Sequence, residues 1–344
     1  MDRRKFLGTA VAAGATLAAS KVLAGPATSN LRSNYAFSKK DTPVILEVAL
    51  NGSATKKVNP TAPETPAEIA QQAIECLDAG ATIIHAHTNK PMEDADAAAQ
   101  LYIEAFEPVR KKHPHAILYP TANFNPAKNH EKRTSWRPEI QSGHYRKMAE
   151  AGAANMVLFD TGVVPISVYD EKGLPAPADK YWWYGFWPGD SKIILDVCKD
   201  LGTGASISVF EPGWMKNVVA MARAGTIPRG AKVIMYFADY GWAGMAPPIP
   251  EALQLYLHMI EGLDLKWSVG MVGGDVMDTP LARMALERGG NFRVGLEDWW
   301  TGPSNLEQMT RAKELINKVG RPIVTGEDAI KYLDIPFPAT RPKA

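Results

Sequence analysis

The feature that most constrains the fold is a regular alternation of apolar strand segments with helical segments. Eight segments rich in β-branched and other apolar residues are predicted to be strands, and each is followed by a helical segment, often closed by glycine. The predicted strands are Val44–Asn51, Thr82–Thr88, Ala116–Thr121, Asn155–Asp160, Ala205–Phe210, Lys232–Ala238, Lys266–Val272 and Asn291–Glu297. This pattern predicts an α/β protein with a (β/α)8 TIM barrel, and an open doubly wound sheet is the alternative. In a barrel, the active site is expected at the carboxyl ends of the strands.

One segment interrupts the alternation after the fourth predicted strand. Residues 163–189 are rich in proline and carry the aromatic run Tyr-Trp-Trp-Tyr-Gly-Phe-Trp at 181–187. We interpret this segment as an aromatic-rich insertion. Together with Trp299 and Trp300, it fits an aromatic wall over the site, suited to an apolar or ring-bearing substrate. Packing in the core or at a subunit interface is the alternative for these tryptophans.

The N-terminus has the pattern of an export signal. Arg3 and Arg4 precede Phe6, and a short run of small and apolar residues follows as far as Ala24. Paired arginines before such a run indicate the twin-arginine route, which places the mature protein in the periplasm. The run is too short and too rich in Gly and Ala for a transmembrane helix, so no stable membrane anchor is expected. We therefore divide the chain into a signal peptide and linker at 1–30 and a single barrel at 31–344; a cytosolic tail is the alternative for the first part.

Composition excludes some partners and limits the role of the cysteines. The formal net charge is +1 and the basic residues do not cluster, which argues against nucleic acid as a partner. Cys76 and Cys198 are the only cysteines, and both lie in apolar, helical contexts. Two buried free thiols are therefore expected, although an oxidising compartment would permit a disulfide.

Charged and imidazole side chains lie at two of the predicted strand ends. His85 and His87 are two residues apart, so both rings would face the same side of the second strand. Arg293 and Glu297 alternate with apolar residues on the eighth strand, where burial is costly unless the charges are paired or bind a metal. In a closed barrel the eighth strand neighbours the first, and the first neighbours the second, so Glu297 can approach the two histidines. Two histidines and a carboxylate form the ligand set of a catalytic zinc site; structural histidines and a buried ion pair are the alternatives.

The sequence resembles the β-keto acid cleavage enzymes, the family of 3-keto-5-aminohexanoate cleavage enzyme. The resemblance extends over the mature chain and is carried above all by Ala-Gly-Ala-Thr-Ile-Ile-His-Ala-His at 79–87 and Gly-Gly-Asn-Phe-Arg-Val-Gly-Leu-Glu-Asp at 289–298. It implies a zinc-dependent barrel, usually a homotetramer. It also implies that the enzyme transfers acetyl from acetyl-CoA while it cleaves a β-keto acid.

The resemblance also implies roles for individual residues. His85, His87 and Glu297 would bind zinc, while Arg293 and Asp298 would form the catalytic pair, with Asp298 as the general base. Candidate substrate-binding residues are Thr121, Asn51 and Glu211. The chain departs from the family pattern at Thr121–Phe124, which lacks two glycines of an anion cradle, and at Ser206 and Ser208, which replace two carboxylates.

The predicted compartment conflicts with the family's second substrate. Acetyl-CoA is a cytoplasmic metabolite, and an exported enzyme would not meet it. Three functions stay open at this point: cleavage of a β-keto acid with acetyl-CoA, a periplasmic metal-dependent hydrolase or lyase with water as acceptor, and a metal-containing binding protein without catalysis. Retention of Asp298 and Arg293 argues against the third, because a binder needs no base beside the metal.

Overall fold

The fold is an eight-stranded parallel barrel surrounded by helices. The computed structural model describes residues 42–52, 54–88, 95–122, 138–174, 182–186 and 191–336. The barrel strands are β1 (Leu46–Ala49), β2 (Ile83–Ala86), β3 (Ile117–Pro120), β4 (Met156–Asp160), β7 (Gly204–Val209), β8 (Lys232–Ala238), β10 (Lys266–Val272) and β11 (Asn291–Val294). Each lies within or close to a segment predicted from the sequence, so the prediction of a TIM barrel is confirmed.

The strand order around the barrel is β3-β2-β1-β11-β10-β8-β7-β4, and side-chain hydrogen bonds close the circle between β3 and β4. Asn155, just before β4, accepts a hydrogen bond from Leu118 N at 3.0 Å and donates one to Ala116 O at 3.1 Å. This closure excludes the open doubly wound sheet. It also places β4 opposite β11, because three strands separate the two on either side.

Helices follow the strands and cover the outside of the barrel. They are α1 (Pro66–Asp78), α2 (Ala95–Lys112), α3 (Pro138–Glu150), α4 (Ser191–Leu201), α5 (Pro212–Ala224), α6 (Pro250–Met259), α7 (Pro280–Glu287), α8 (Asn305–Val319) and α9 (Gly326–Leu333). The predicted start of α1 is confirmed, since Thr65 and Glu68 form a reciprocal capping box ahead of Pro66. Such caps satisfy the free N–H groups of a first turn and so fix where the helix begins.

The predicted insertion after the fourth strand forms part of a small antiparallel sheet. Its strands are β5 (Val163–Val168) and β6 (Trp182–Gly185), and β5 also pairs with β9 (Trp242–Ala243), which follows β8. The sheet therefore extends from the carboxyl ends of β4 and β8, the side of the barrel where the site residues lie. Tyr181 and Trp187 of the aromatic run are outside the described residues.

Two further predictions concern the cysteines and the membrane. Cys76 and Cys198 are free and buried, as predicted. Within the described part of the chain, no helix combines the length and the apolar character needed to cross a bilayer. The predicted signal peptide and linker at 1–30 lie outside the described residues.

Candidate active site

His85, His87 and Glu297 converge at the carboxyl end of the barrel. Nε2 of His85 lies 3.1 Å from Oε2 of Glu297, and Nε2 of His87 lies 3.3 Å from Oε1 of the same carboxylate. One nitrogen or oxygen atom from each residue falls within 4.8 Å of the others. The structure thus brings together the three ligands that the sequence predicted.

Hydrogen bonds from the barrel fix the orientation of both histidines. Nδ1 of His85 donates to Tyr119 O at 3.2 Å, because a carbonyl oxygen can only accept, and this leaves Nε2 as the ring's lone-pair donor. Asn51 holds the backbone of His87 from both sides. Its Oδ1 accepts from His87 N at 2.8 Å, and its Nδ2 donates to His87 O at 2.9 Å.

Glu297 reaches the histidines because the chain turns just past the end of β11. Gly295 has φ +132°, so the strand ends at Val294 and Glu297 lies on a turn, rather than on the strand itself as the sequence analysis assumed. Glu297 N donates to Ala49 O at 3.2 Å, which ties the turn to β1. Gly52 lies against the same side chain with φ +52°; a Cβ there would overlap Cγ of Glu297 and lie 2.7 Å from its Cβ. Only glycine leaves Glu297 in this position.

Two amide side chains of α8 support the same turn from outside. Gln308 Oε1 accepts from Gly295 N, and Asn305 Oδ1 accepts from Leu296 N, both at 3.0 Å. Asn305 also donates to Leu50 O at 2.8 Å. Sequence analysis did not select Asn305 or Gln308; their only sequence signal is an amide in the first turn of a helix that follows the motif.

Arg293 and Asp298 form a buried, two-pronged ion pair beside the three ligands. Arg293 Nε donates to Asp298 Oδ2 at 2.9 Å, and a terminal guanidinium nitrogen donates to Oδ1. The same guanidinium lies 3.5 Å from Oε1 of Glu297 and over the ring of Tyr236, 4.9 Å from its centre. The pairing predicted from the motif is present, with Asp298 fixed in one orientation next to Glu297.

A second buried ion pair lies deeper in the barrel. Glu47 of β1 and Lys232 of β8 are both completely buried and in ion-pair contact. Tyr119 donates to Glu47, and Arg293 lies 3.8 Å from it. No sequence pattern singles out this pair. It links the interior of the barrel to the arginine that orients Asp298.

The local charges set the ionisation of these groups. Burial alone would raise the pKa of Glu297, but Arg293 and the two histidines outweigh it and hold that pKa well below its usual value. Burial raises the pKa of Asp298 to about 6 against the opposing effect of Arg293. Burial lowers the pKa of His85, which keeps its ring neutral. A neutral imidazole beside an ionised carboxylate is the protonation state that metal binding requires.

The three residues fit a metal ion. His87 Nε2 is buried and makes no hydrogen bond to any described residue, although an imidazole nitrogen in such a position needs a partner. The donor set of two imidazole nitrogens and one carboxylate suits zinc and other divalent transition metals. His85, His87 and Glu297 could therefore hold a metal ion.

Comparison with known proteins identifies the family. A family model described as beta-keto acid cleavage enzyme matches residues 43–335. The chain belongs to this family. The resemblance found in the sequence motifs is thereby confirmed.

Relatives in the β-keto acid cleavage family align over most of the chain. The 3-oxoadipate:acetyl-CoA acetyltransferase of Cupriavidus necator is 27% identical over 305 residues, which are 86% of this chain and 95% of the relative. The 3,5-dioxohexanoate:acetyl-CoA acetone transferase of Paraburkholderia graminis is 25% identical over 307 residues, 85% of this chain and 96% of the relative. Among solved structures, apo ObcA superimposes with a TM-score of 0.58 at 16% identity and covers 80% of this chain and 66% of that chain. That likeness shows the fold alone.

The three predicted substrate-binding residues occupy different surroundings. Thr121 lies at the mouth of the barrel, one residue past β3 and beside His87 in the register of β2 and β3. Asn51 uses its whole amide within the protein: besides its two bonds to His87, it donates to Pro63 O and accepts from Gly52 N. The Asn51 amide is thus fully engaged with backbone groups, and its substrate contact stays a prediction.

Glu211 lies between the end of β7 and the start of α5. It is the N-cap position of α5, and its Oε1 lies over the first turn at Gly213. Its charge acts on the pKa of Tyr256, which belongs to α6 in the outer layer of helices. Among the described residues, no hydrogen bond or ion pair joins Glu211 to His85, His87 or Glu297, which together form the metal-ligand cluster. The carboxylate lies at the helix terminus, where the helix dipole stabilises a negative charge, and the substrate contact of Glu211 stays a prediction.

Trp299 and Trp300 take part in packing. Trp300 packs against Ala54, Ala62 and Leu296, and its ring centre is 5.9 Å from that of Trp242. Trp299 lies under the guanidinium of Arg311 at 5.7 Å. These contacts favour the packing interpretation of both tryptophans.

Proposed function

We propose that this protein is a metal-dependent enzyme that cleaves a carbon–carbon bond of a β-keto acid, with acyl transfer involving acetyl-CoA. One observation supports this above all: the His85–His87–Glu297 cluster lies directly beside the buried Arg293–Asp298 pair, in a chain whose residues 43–335 match the β-keto acid cleavage family. We propose zinc as the metal. A small-molecule oxoacid would be the first substrate, since relatives are named for 3-oxoadipate and 3,5-dioxohexanoate.

The geometry supports a division of roles. Zinc held by His85, His87 and Glu297 would supply a Lewis acid that polarises the keto oxygen. Asp298 would accept a proton from a carbon next to the keto group, leaving the electron pair delocalised as an enolate. Its pKa of about 6 suits this role, because a base works best when its pKa is near the operating pH. Arg293 would hold the carboxylate towards the substrate by its two bonds, and Thr121 would contact the substrate carboxylate at the mouth.

The acceptor depends on the compartment. The paired arginines of the N-terminus support a second candidate function, in which twin-arginine export carries residues 31–344 to the periplasm. Because acetyl-CoA is cytoplasmic, an exported enzyme would have to use water, as a hydrolase or lyase. Fractionation of cells that express the full chain distinguishes these functions. Full-length protein and activity in the cytoplasm would support acetyl-CoA as the acceptor. A shortened form in the periplasm would support water as the acceptor.

The decisive assay combines metal content with turnover. The protein is loaded with zinc and freed of excess metal, and zinc per chain is measured. Acetoacetate, 3-oxoadipate and 3,5-dioxohexanoate are then assayed with and without acetyl-CoA. Zinc at about one per chain with cleavage that requires acetyl-CoA supports the proposal, and cleavage in water alone moves it to the hydrolase. Bound zinc without turnover of any acid contradicts it and favours a binding protein.

Two variants test the residue assignments. Asp298→Asn should retain zinc and lose turnover by at least about 100-fold, the usual contribution of a general base. His87→Ala should lose the metal, whereas His113→Ala should keep it, because His113 pairs with Asp78 outside the site at 3.0 Å. Full zinc occupancy in His87→Ala would contradict the ligand assignment. The family resemblance also leads us to propose a homotetramer, which light scattering after gel filtration can test.

A further inference from the structure

Asp160 is a buried carboxyl group that the proposed chemistry leaves unused. It is the last residue of β4, it is 1% exposed, and its Cα pairs with that of Ser208 on β7. The hydroxyl groups of Ser208 and Tyr184 hydrogen-bond to its carboxyl group. Its Oδ1 atom is nevertheless buried without a hydrogen bond to any described residue. An unpartnered carboxyl oxygen in the interior is unfavourable, so it points to a ligand that completes it.

The barrel places Asp160 opposite the metal-ligand cluster. β4 and β11 are separated by three strands on either side of the circle, and Glu297 and Asp298 follow β11 directly. Both groups lie at the carboxyl ends of their strands. An eight-stranded barrel has an interior just wide enough for side chains or one small ligand. A small molecule bound at the cluster would therefore extend towards Asp160, and the charge of Glu297 already acts on the pKa of Asp160.

The small antiparallel sheet brings Tyr184 to this carboxyl group. Gly185 has φ +114°, and a Cβ there would overlap Gly162 O and lie 2.6 Å from the indole of Trp214. Glycine thus allows β6 to pack tightly over the end of β4. From Tyr184, ring contacts lead through Phe210 at 5.2 Å to Tyr236 at 4.6 Å.

The ring of Tyr236 lies under Arg293. The rings of Tyr184, Phe210 and Tyr236 therefore form one aromatic wall, which runs from Tyr184, bonded to Asp160, to Arg293, bonded to Asp298. Aromatic rings exclude water from the space beside them, which strengthens hydrogen bonds and charge interactions there. The two carboxyl groups therefore border the same apolar side of the site.

The surroundings of Asp160 keep a substantial fraction of this carboxyl group protonated at neutral pH. Burial raises its pKa to about 7, and Glu297 adds to the increase, while the hydroxyl groups of Ser208 and Tyr184 oppose it. Tyr145 of α3 also faces it, and the pKa of that phenol lies well above its usual value, so it carries no charge. Asp160 thus faces one carboxylate and neutral hydroxyl groups, and it can hold a proton that it is able to give up.

We propose that Asp160 is a second catalytic residue, the general acid that protonates the carbon released when the carbon–carbon bond breaks. This rests on the proposed function. Either the CoA thiolate, released when the first enolate takes the acetyl group of acetyl-CoA, or water adds to the keto carbon. Collapse of that adduct leaves the acyl group on sulfur or oxygen, and the electron pair of the broken carbon–carbon bond stays on carbon as an enolate. The proton of Asp160 forms the new C–H bond and Asp160 becomes a carboxylate. Asp298, which took a proton at the start, returns it to solvent while Asp160 regains one, so the proton count balances.

The test separates proton removal from bond cleavage. Zinc-loaded wild-type enzyme and variants are incubated with 3-oxoadipate in deuterated water, with and without acetyl-CoA. NMR then follows deuterium entry at the carbons beside the keto group and the loss of substrate, both corrected for the rates without enzyme. Asp160→Asn keeps the shape of the side chain but has no proton to transfer. Asp239→Asn is the matched control, since Asp239 is an exposed aspartate just past β8.

Asp160→Asn should exchange deuterium within about threefold of wild type and cleave at least about 100-fold more slowly. Asp298→Asn should lose both activities, and Asp239→Asn neither. Cleavage by Asp160→Asn within threefold of wild type, or an equal fall in exchange and cleavage, overturns the proposal. If Asp160→Asn does not fold, Tyr184→Phe replaces it in the test. A cleavage rate about tenfold below wild type, with deuterium exchange retained, supports the proposal. A cleavage rate equal to that of wild type overturns it. Absence of both activities from wild type, with every acid tested, overturns the proposed function and this inference with it.

Discussion

Replacement of Gly52 by alanine tests how the metal-ligand cluster is built. Gly52 has φ +52°, and the added Cβ would lie 2.9 Å from the Cα of Glu297, so rotating the glutamate side chain cannot relieve the contact. Two costs arise: about 1–2 kcal/mol for a left-handed alanine and about 1–3 kcal/mol for overpacking. We therefore expect the free energy of unfolding to fall by about 2–5 kcal/mol. Because Glu297 must move away from the histidines, zinc affinity should also fall by at least about 100-fold, near 2.7 kcal/mol.

Gly225→Ala is the matched control. Gly225 ends α5 with φ +69°, and a Cβ there would meet nothing within 4 Å. The free energy of unfolding of this variant should fall only by the strain of a left-handed alanine, about 1–2 kcal/mol. Its zinc affinity should equal that of wild type. Urea unfolding of the metal-free proteins measures the first effect, and titration against a chromogenic chelator measures the second. Equal zinc affinity for the two variants would refute the argument that Gly52 positions Glu297.

Three further predictions concern buried groups. Lys232→Met should lower the free energy of unfolding, measured in urea, by about 3–5 kcal/mol, because Glu47 would be left as an unpaired buried charge. Adding Glu47→Gln to the same chain should recover most of this stability. A fall below about 1 kcal/mol for Lys232→Met alone would contradict the pairing. For Asp160, the folded pKa of about 7 exceeds the ordinary value of 3.8, so its protonation stabilises the fold at low pH and this contribution is lost as pH rises through 7. Asp160→Asn should thus gain on the order of 4 kcal/mol relative to wild type between pH 4 and pH 7, and a constant difference would contradict the shift. Cys76 and Cys198 should not react with a thiol reagent until the protein is unfolded, since burial raises their pKa values to about 12 and about 11; rapid labelling of the native protein would show them to be accessible.

The barrel could be predicted because strands and helices leave local marks in the sequence. Apolar strand segments, capping residues and closing glycines recur in order, and a chain that repeats them eight times has few ways to bury every strand. Strand ends were less certain. The predicted strand at Asn291–Glu297 ends at Val294, since the left-handed backbone of Gly295 begins a turn that alternation of apolar residues does not reveal. Side chains alternate between the two faces only within the strand, so the alternation does not give the direction of Glu297, which lies beyond its end.

The convergence of the three candidate ligands could be predicted because they follow strands that are neighbours in a closed barrel. The supports of those ligands could not, because they come from distant parts of the chain. Asn51 brackets His87 across two strands, and Asn305 fixes the turn of Glu297 from a helix. An asparagine carries no mark in the sequence that tells a ligand contact from a backbone contact, since the same amide serves both. The sequence alone therefore could not separate the predicted substrate contact of Asn51 from the backbone contacts that the structure shows.

The serines of β7 show how the interior of this barrel differs from the family pattern. The family resemblance places Ser206 and Ser208 where the family pattern has two carboxylates. From the sequence alone, this suggests that the barrel has lost two acidic side chains. In the structure, Ser206 donates to the hydroxyl of Tyr119, which in turn donates to Glu47, and Ser208 bonds to Asp160.

Ser208 thus bonds directly to the carboxyl group of Asp160 on β4, whereas Ser206 is linked to Glu47 on β1 only through the hydroxyl of Tyr119. The acidic groups remain inside the barrel, but one is locked in an ion pair with Lys232 and the other faces the metal-ligand cluster. The space available to a substrate must change shape accordingly, because carboxyl groups placed on different strands approach a bound ligand from different sides. Substrate preference therefore has to be measured on this chain.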